Sequence, residues 1–359
     1  MLQGRTLQEL AVEIQRQHNE KRDFLVPTSE IQMTSDISGN GIEIETVGEF
    51  QINENAHRQF GEYCGIPAKY YEKLREYPDM LAKNVNHWLH LTPDVPDNRM
   101  IRTLDGNIRA FLSDRYRRID NVQVAETVLP MISQMPEAQV KSCEVTEDRM
   151  YLKVVNPRIQ AEVKKGDIVQ SGILISNSEV GLGCVVVTPL IYRLVCTNGM
   201  IAQDSNINRY RRHHIGRVNE IDAEYTVYRD ETLEAEDKAL MMKLQDAVSS
   251  AINEAVFARV VDKMREAVDA KLEAATVPRV VELISKDVGI KDTEHKSILG
   301  HLIEGGDLSL YGLGNAVTRY AQDVKSYDRS TELEAIGYKV MTMHPARFNT
   351  IKSIARKEA

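Results

Sequence analysis

Residues 172–217, GILISNSEVGLGCVVVTPLIYRLVCTNGMIAQDSNINRYRRHHIGR, constrain this chain more than any other stretch. Two apolar, β-branched runs are joined through a glycine-containing turn, which predicts a strand pair buried at the centre of a sheet. The same stretch then changes into arginines interleaved with a tyrosine and paired histidines. A buried β-core therefore passes directly into a basic surface.

The neighbouring segments supply the rest of that sheet. Residues 100–112 alternate apolar and polar around Asp105-Gly106, a dipeptide that provides the positive φ angles of a tight hairpin turn. Arg102 and Arg109 fall on alternate positions there and predict a partly basic strand face. Asn121 is placed to cap an amphipathic helix through Val122, Val124, Val128, Leu129 and Ile132, closed by Met135-Pro136. Residues 139–155 form a second hairpin pattern turning at Thr146-Glu147-Asp148. Together these predict an α+β fold, an antiparallel sheet with helices on one face.

Before this region, Thr6 and Glu9 form a capping box for a helix through Leu7, Leu10, Ala11 and Ile14. Short alternating runs follow between residues 24 and 52. Residues 57–74 have the helix, glycine turn and second helix of a helix-turn-helix unit. Lys69, Lys73 and Arg75 are offset by Glu72, Glu76 and Asp79, so a structural corner is favoured over a DNA-reading helix. His87 and His90 stand one helical turn apart, but no third metal ligand is near them. Residues 91–98, LTPDVPDN, are the best linker in the chain.

Beyond it, residues 232–276 carry apolar positions from Leu233 to Leu272 at three-, four- or sevenfold spacings. One helix of that length would span on the order of 60 Å, which suits a long C-terminal helix used for self-association or a bent hairpin. The remainder is helical, with breaks expected at Gly289, Gly305-Gly306 and Gly312–Gly314, and a basic, frayed tail over 347–359. The expected division is an acidic N-terminal α/β lobe (1–98), a central antiparallel β-rich domain with basic clusters (99–228) and a helical, oligomerising C-terminal region (229–359).

The 359 residues, 42% hydrophobic, suffice for at least one sizeable core. Apolar runs are far shorter than the ~20 residues of a membrane span, and the mixed-charge start lacks the apolar stretch of a secretory signal. A cytoplasmic address is expected. Cys64, Cys143, Cys184 and Cys196 lie too far apart in sequence for a zinc knuckle and suggest free thiols. The net charge of −8 argues against a nucleic-acid partner only if its distribution is ignored.

Chemistry-bearing motifs are sparse. Gly305-Gly306 and Gly312-Leu313-Gly314 lack the Lys-Ser/Thr ending of a phosphate loop, and no GxSxG or HExxH occurs. No catalytic residue, metal or cofactor is implied. What remains is Arg115-Tyr116-Arg117-Arg118 and Arg209-Tyr210-Arg211-Arg212, the latter followed by His213-His214. Guanidinium groups match phosphate oxygens, and a tyrosine between them offers a stacking face for an unpaired base. The alternative is that these arginines pair with the acidic lobe or with a second subunit.

Three motifs, residues 111–121 (FLSDRYRRIDN), 193–200 (RLVCTNGM) and 315–321 (NAVTRYA), resemble the phage/plasmid-like family known as domain of unknown function 932 over residues 100–327. The resemblance implies a mobile-element origin in a bacterial host and supplies no catalytic residue. The order of hairpin, helix, strands and arginine run is also similar to phage single-strand annealing proteins. The expectation is an ATP-independent DNA-binding protein, a single-strand binder or annealing protein of replication or recombination, acting as a homo-oligomer. The alternative is an oligomeric protein that contacts a host protein through its acidic lobe, countering defence.

Overall fold

A computed structural model of the chain describes residues 1–36, 39–91, 97–203, 210–212, 230–251 and 253–358. Helix α1 (Leu7–Glu20) starts at the expected capping box, the Glu9 amide donating to Thr6 Oγ1 at 3.2 Å while Thr6 donates back to Glu9 Oε2 at 2.8 Å. Strands β1 (Arg22–Pro27), β2 (Ile31–Asp36), β3 (Gly39–Ile44), β4 (Gly48–Ile52), β5 (Asn98–Leu104) and β6 (Asn107–Ser113) form the first sheet, in the order β1-β5-β6-β4-β3-β2. All pairs are antiparallel except β4 with β6. Asp105 (φ 51°) and Gly106 (φ 77°) make the expected turn between β5 and β6.

That hairpin belongs to the first sheet rather than to the central one, because its apolar side completes the first core. Ile101, Ile108 and Phe111 pack with Val26, Ile31 and Ile42, and Phe111 stacks on Phe60 with centroids 4.2 Å apart. Helices α2 (Glu54–Tyr63), α3 (Ala68–Arg75) and α4 (Pro78–His90) close this core.

Helix α5 (Asn121–Gln134) leads into the second sheet of β7 (Gln139–Val145), β8 (Met150–Lys164), β9 (Asp167–Asn177), β10 (Val185–Arg193), β11 (Asn198–Ile201) and β12 (Tyr210–Arg212). Its order is β11-β10-β9-β8-β7, with β12 also on β10. Asp120 rather than Asn121 caps α5, its amide donating to Gln123 Oε1 at 3.0 Å. On one face Leu152, Val154, Ile173, Ile175, Val185 and Val187 pack against α1, α5 and α6 (Asp230–Ala251). On the other, Tyr151, Val155, Leu174 and Leu190 meet Tyr327 of α11 (Tyr327–Met341). The mixed α+β class holds, with an antiparallel-rich strand half and a helical C-terminal half. Helices reach both faces of this sheet because its central strands are apolar at consecutive positions.

The long helical pattern resolves into two helices, not one. Asn253 caps α7 (Glu254–Asp269), its side chain accepting the Ala255 amide at 2.8 Å. The two apolar stripes then serve different cores: Leu240, Leu244 and Val248 face the second sheet, whereas Val256, Val260 and Met264 join α8 (Val277–Val288), α9 (Asp292–Gly305), α10 (Leu310–Tyr320) and α12 (Pro345–Glu358). Gly289 (φ 86°) and Gly306 (φ 67°) end α8 and α9 as expected. Gly312–Gly314 is no break: it lies inside α10, where Gly314 lets α11 approach so closely that a Cβ would meet Gly337 O at 2.7 Å. Nor is the tail frayed, since Phe348, Ile351 and Ala355 bury α12.

Arg102 and Arg109 do not make a basic surface either. Both are buried at the junction of the two sheets. Arg102 donates to Asp23 Oδ1 at 2.8 Å, Asp120 Oδ1 at 2.7 Å and the Glu179 carbonyl at 2.9 Å, and Arg109 donates to Glu179 Oε2 at 2.6 Å. Burial alone would raise the Asp120 carboxyl, but Arg102 and Lys21 override it and hold it at about 2. The turn between β9 and β10, the glycine turn at the centre of the opening stretch, is thus clamped by charge onto the first sheet.

Candidate nucleic-acid interface

Antiparallel register aligns one row across the second sheet: Arg211 on β12 opposite Val186 on β10, Val186 opposite Ser176 on β9, and Ser176 opposite Tyr151 on β8. This row is part of the floor of an open groove of about 800 Å³, walled by α11 on one side and by Arg58 of α2 with the β7–β8 turn on another. Six cationic side chains line it: Arg58, Arg149, Arg211, Lys291, Arg329 and Lys339. Three carboxylates, Asp148, Asp328 and Glu332, oppose them.

The cations are not equally available. Arg329 is bound to Glu294 at 2.5 Å and Glu332 at 2.6 Å, and Arg149 donates to the Leu182 carbonyl. Arg58 donates to Asn55 Oδ1 at 2.7 Å and lies 3.7 Å from Glu62, with about half its side chain exposed. Lys291, Lys339 and Arg211 are exposed and make no ion pair among the described residues. Arg211 Nε donates to Cys184 Sγ at 2.9 Å, which fixes the guanidinium at the groove floor. Asp328 is held by Tyr151, whose hydroxyl donates at 2.7 Å, and by Thr146 at 3.2 Å. Burial, reinforced by Asp328, raises the Asp148 carboxyl above its ordinary range.

The sequence-singled residues separate. Arg211 lines the groove. Tyr116 does not stack on anything from outside: it is 7% exposed, and its hydroxyl donates to the Ser178 carbonyl at 3.1 Å. A ring buried against that turn cannot receive a base. Arg117 is committed to α6 through Glu236 at 2.9 Å and Asp237 at 3.0 Å. Arg118 is exposed and lies 3.5 Å from Asp23, and Arg115 is exposed without an ion pair among the described residues. The 115–118 cluster is therefore a joint between elements and does not line the groove. Of the second cluster, Arg209 lies outside the described residues, as do His213 and His214, the Arg217 end of the run and linker residues 92–96; Tyr210 and Arg212 are described as β12 backbone only. Arg193, also counted among the basic residues, is tied to Asp167 at 2.7 and 2.6 Å.

Sequence reasoning missed Arg58, Arg149, Lys291, Arg329 and Lys339. Only Arg329 and Lys339 share an element, α11, and the five form no local cluster, so the tertiary fold is what brings them to one groove. Two of the resemblance motifs do converge: Asn198 donates to Thr318 Oγ1, and Gln322 donates to the Cys196 carbonyl at 3.2 Å. Their shared position is the buried seat of α10 and α11, which supports the groove wall from behind.

Among the described residues, no helix is long and apolar enough to cross a membrane, and no three His, Cys, Asp or Glu side chains gather as a metal would need. A family model described as Domain of unknown function (DUF932) matches residues 110–349, more than half of the chain. No curated protein and no solved structure matches it.

Proposed function

The chain belongs to the family described as Domain of unknown function (DUF932), and from that premise we propose that it binds single-stranded DNA along the groove beside α11, without nucleotide hydrolysis. The observation that carries this reading is the set of exposed cations without an ion pair among the described residues, Arg211, Lys291 and Lys339, along one concave surface whose cations outnumber its carboxylates. A phosphate backbone is the polyanion that such spacing suits. Among the described side chains that line the groove the one aromatic ring is that of Tyr151, buried and bonded to Asp328. The contacts these side chains offer rest on charge more than on stacking. The setting that fits is replication or recombination of a phage or other mobile element in a bacterial cytoplasm.

The test is binding to labelled single- and double-stranded oligonucleotides across a salt series without nucleotide or metal. Three phosphate contacts predict a log–log salt slope of about −2 on single strands. Binding without salt dependence, or none at low salt, would overturn the reading.

A further inference from the structure

The three carboxylates of the groove differ in what holds them. Glu332 is bound by Arg329 at 2.6 Å, and Asp328 accepts from Tyr151 at 2.7 Å and from Thr146 at 3.2 Å. The Asp148 carboxylate receives neither a hydrogen bond nor an ion pair among the described residues. It stands half-buried on the β7–β8 turn, where the Asp148 amide donates to Thr146 Oγ1 at 3.2 Å. That is the same hydroxyl that donates to Asp328, so Thr146 joins the two acidic residues where both line the groove.

Charges act on Asp148 from each element around it. Helix α11 supplies Asp328, α2 supplies Arg58, and the turn itself supplies Arg149 and Glu147. A smaller cavity of about 350 Å³ adjoins the groove at Arg58 and Asp148, which line both, and it adds Glu54 and Glu62 of α2 and Glu72 of α3. The two cations are spent elsewhere: Arg58 donates to Asn55 Oδ1 at 2.7 Å and Arg149 to the Leu182 carbonyl. Burial first, and Asp328 second, therefore outweigh them and raise the carboxyl above its ordinary value. A phosphate laid along the groove brings one more negative charge to this space, which favours the neutral carboxyl further.

We propose that a single strand entering the groove takes up one proton from solvent at Asp148, so that acidification tightens its binding and neutral pH loosens it. This rests on the groove reading above and adds a regulating group to it. Linkage fixes the sign: if the bound strand makes Asp148 hold its proton more tightly, the proton makes the groove hold the strand more tightly by the same factor. One proton limits the effect to about tenfold in affinity per pH unit.

The experiment measures binding of labelled oligo(dT), whose bases and phosphodiesters do not titrate in this range, between about pH 7.5 and about pH 5 at fixed low salt. It compares the full chain with Asp148→Asn and Glu147→Gln, with circular dichroism at each pH. Asparagine keeps the backbone bonds of the turn, the amide to Thr146 and the carbonyl that accepts from Ser178. The expected result is wild-type affinity that rises as pH falls, an Asp148→Asn variant that binds more tightly at the neutral end with a nearly flat profile, and a Glu147→Gln variant that keeps the wild-type profile. A flat wild-type profile, a pH dependence that Asp148→Asn retains, or one that Glu147→Gln abolishes overturns the assignment to Asp148 while leaving the groove reading in place. Absence of oligo(dT) binding by all three proteins at every pH overturns the groove reading and this inference together.

Discussion

Lys153 on β8 and Glu334 on α11 meet at 2.7 Å with neither side chain exposed to solvent. The approach falls outside good hydrogen-bond geometry, so charge rather than an aligned bond holds the pair. The Tyr327 ring adds to it, its centroid 4.7 Å from Lys153 Nζ. The pair seats α11, and with it one wall of the groove, on the sheet. Removing one partner leaves a buried charge alone, which costs about 3–5 kcal/mol, whereas replacing both by apolar residues is near neutral. Lys153→Met and Glu334→Leu should each be strongly destabilised in urea, and the double variant should recover most of the loss. A double variant no more stable than either single would contradict this view of the pair.

The crossing of α10 over α11 sets the same wall from the other side. A Cβ on Gly337 would stand 2.4 Å from Thr318 Cγ2 and 2.9 Å from the Gly314 carbonyl. Thr318 cannot swing away freely because its hydroxyl accepts from Asn198. Gly337→Ala should lose about 1–3 kcal/mol through overpacking despite the helix preference for alanine. Denaturant midpoints measure this, and a stabilised variant would show that the helices can part without cost.

His57 gives the first core a pH dependence. Its Nδ1 lies 3.0 Å from the Tyr71 hydroxyl, and burial, helped by Arg75, lowers the imidazole to about 4. The folded state thus binds the proton more weakly than the unfolded state. The associated stability is complete above about pH 6.5, the unfolded value, and is lost as pH falls toward about 4. Across that window it amounts to roughly 3 kcal/mol. His57→Gln should flatten the profile there, as read by urea midpoints; an unchanged slope would assign the acid sensitivity to other groups.

Arg117 and Arg211 look alike in sequence but should behave differently. Arg117 holds α6 through Glu236 and Asp237, so Arg117→Glu should loosen the α5–α6 packing and lower the unfolding midpoint. Arg211→Glu, at an exposed groove position, should leave the midpoint nearly unchanged and weaken DNA binding. The reverse pattern would return binding to the 115–118 segment.

Local signals account for most of what was legible beforehand. Asp105-Gly106, the Thr6–Glu9 capping box and the helix ends at Gly289 and Gly306 depend on residues within a turn of one another, and the pattern states them directly. The Arg102 and Arg109 contacts do not, because their partner Glu179 lies 77 and 70 residues further along. Before that partner is known, an arginine on a strand resembles a surface residue. Tyr116 misleads in the same way: flanked by arginines, it looks like a stacking platform, yet the ring is the buried member of the cluster. The regular apolar spacing from 240 to 264 concealed a break, since Asn253 changes which core the stripe faces without disturbing its period.

The most direct test of DNA binding in the groove is the salt dependence of single-stranded oligonucleotide binding by the wild-type chain and by Arg211→Glu/Lys339→Glu. Both substituted side chains are exposed and without ion pairs among the described residues, so the fold should persist. Two lost phosphate contacts should weaken affinity at low salt and reduce the salt slope by roughly one to two. A double variant that binds with wild-type affinity and slope would show that the groove beside α11 is not where DNA lies.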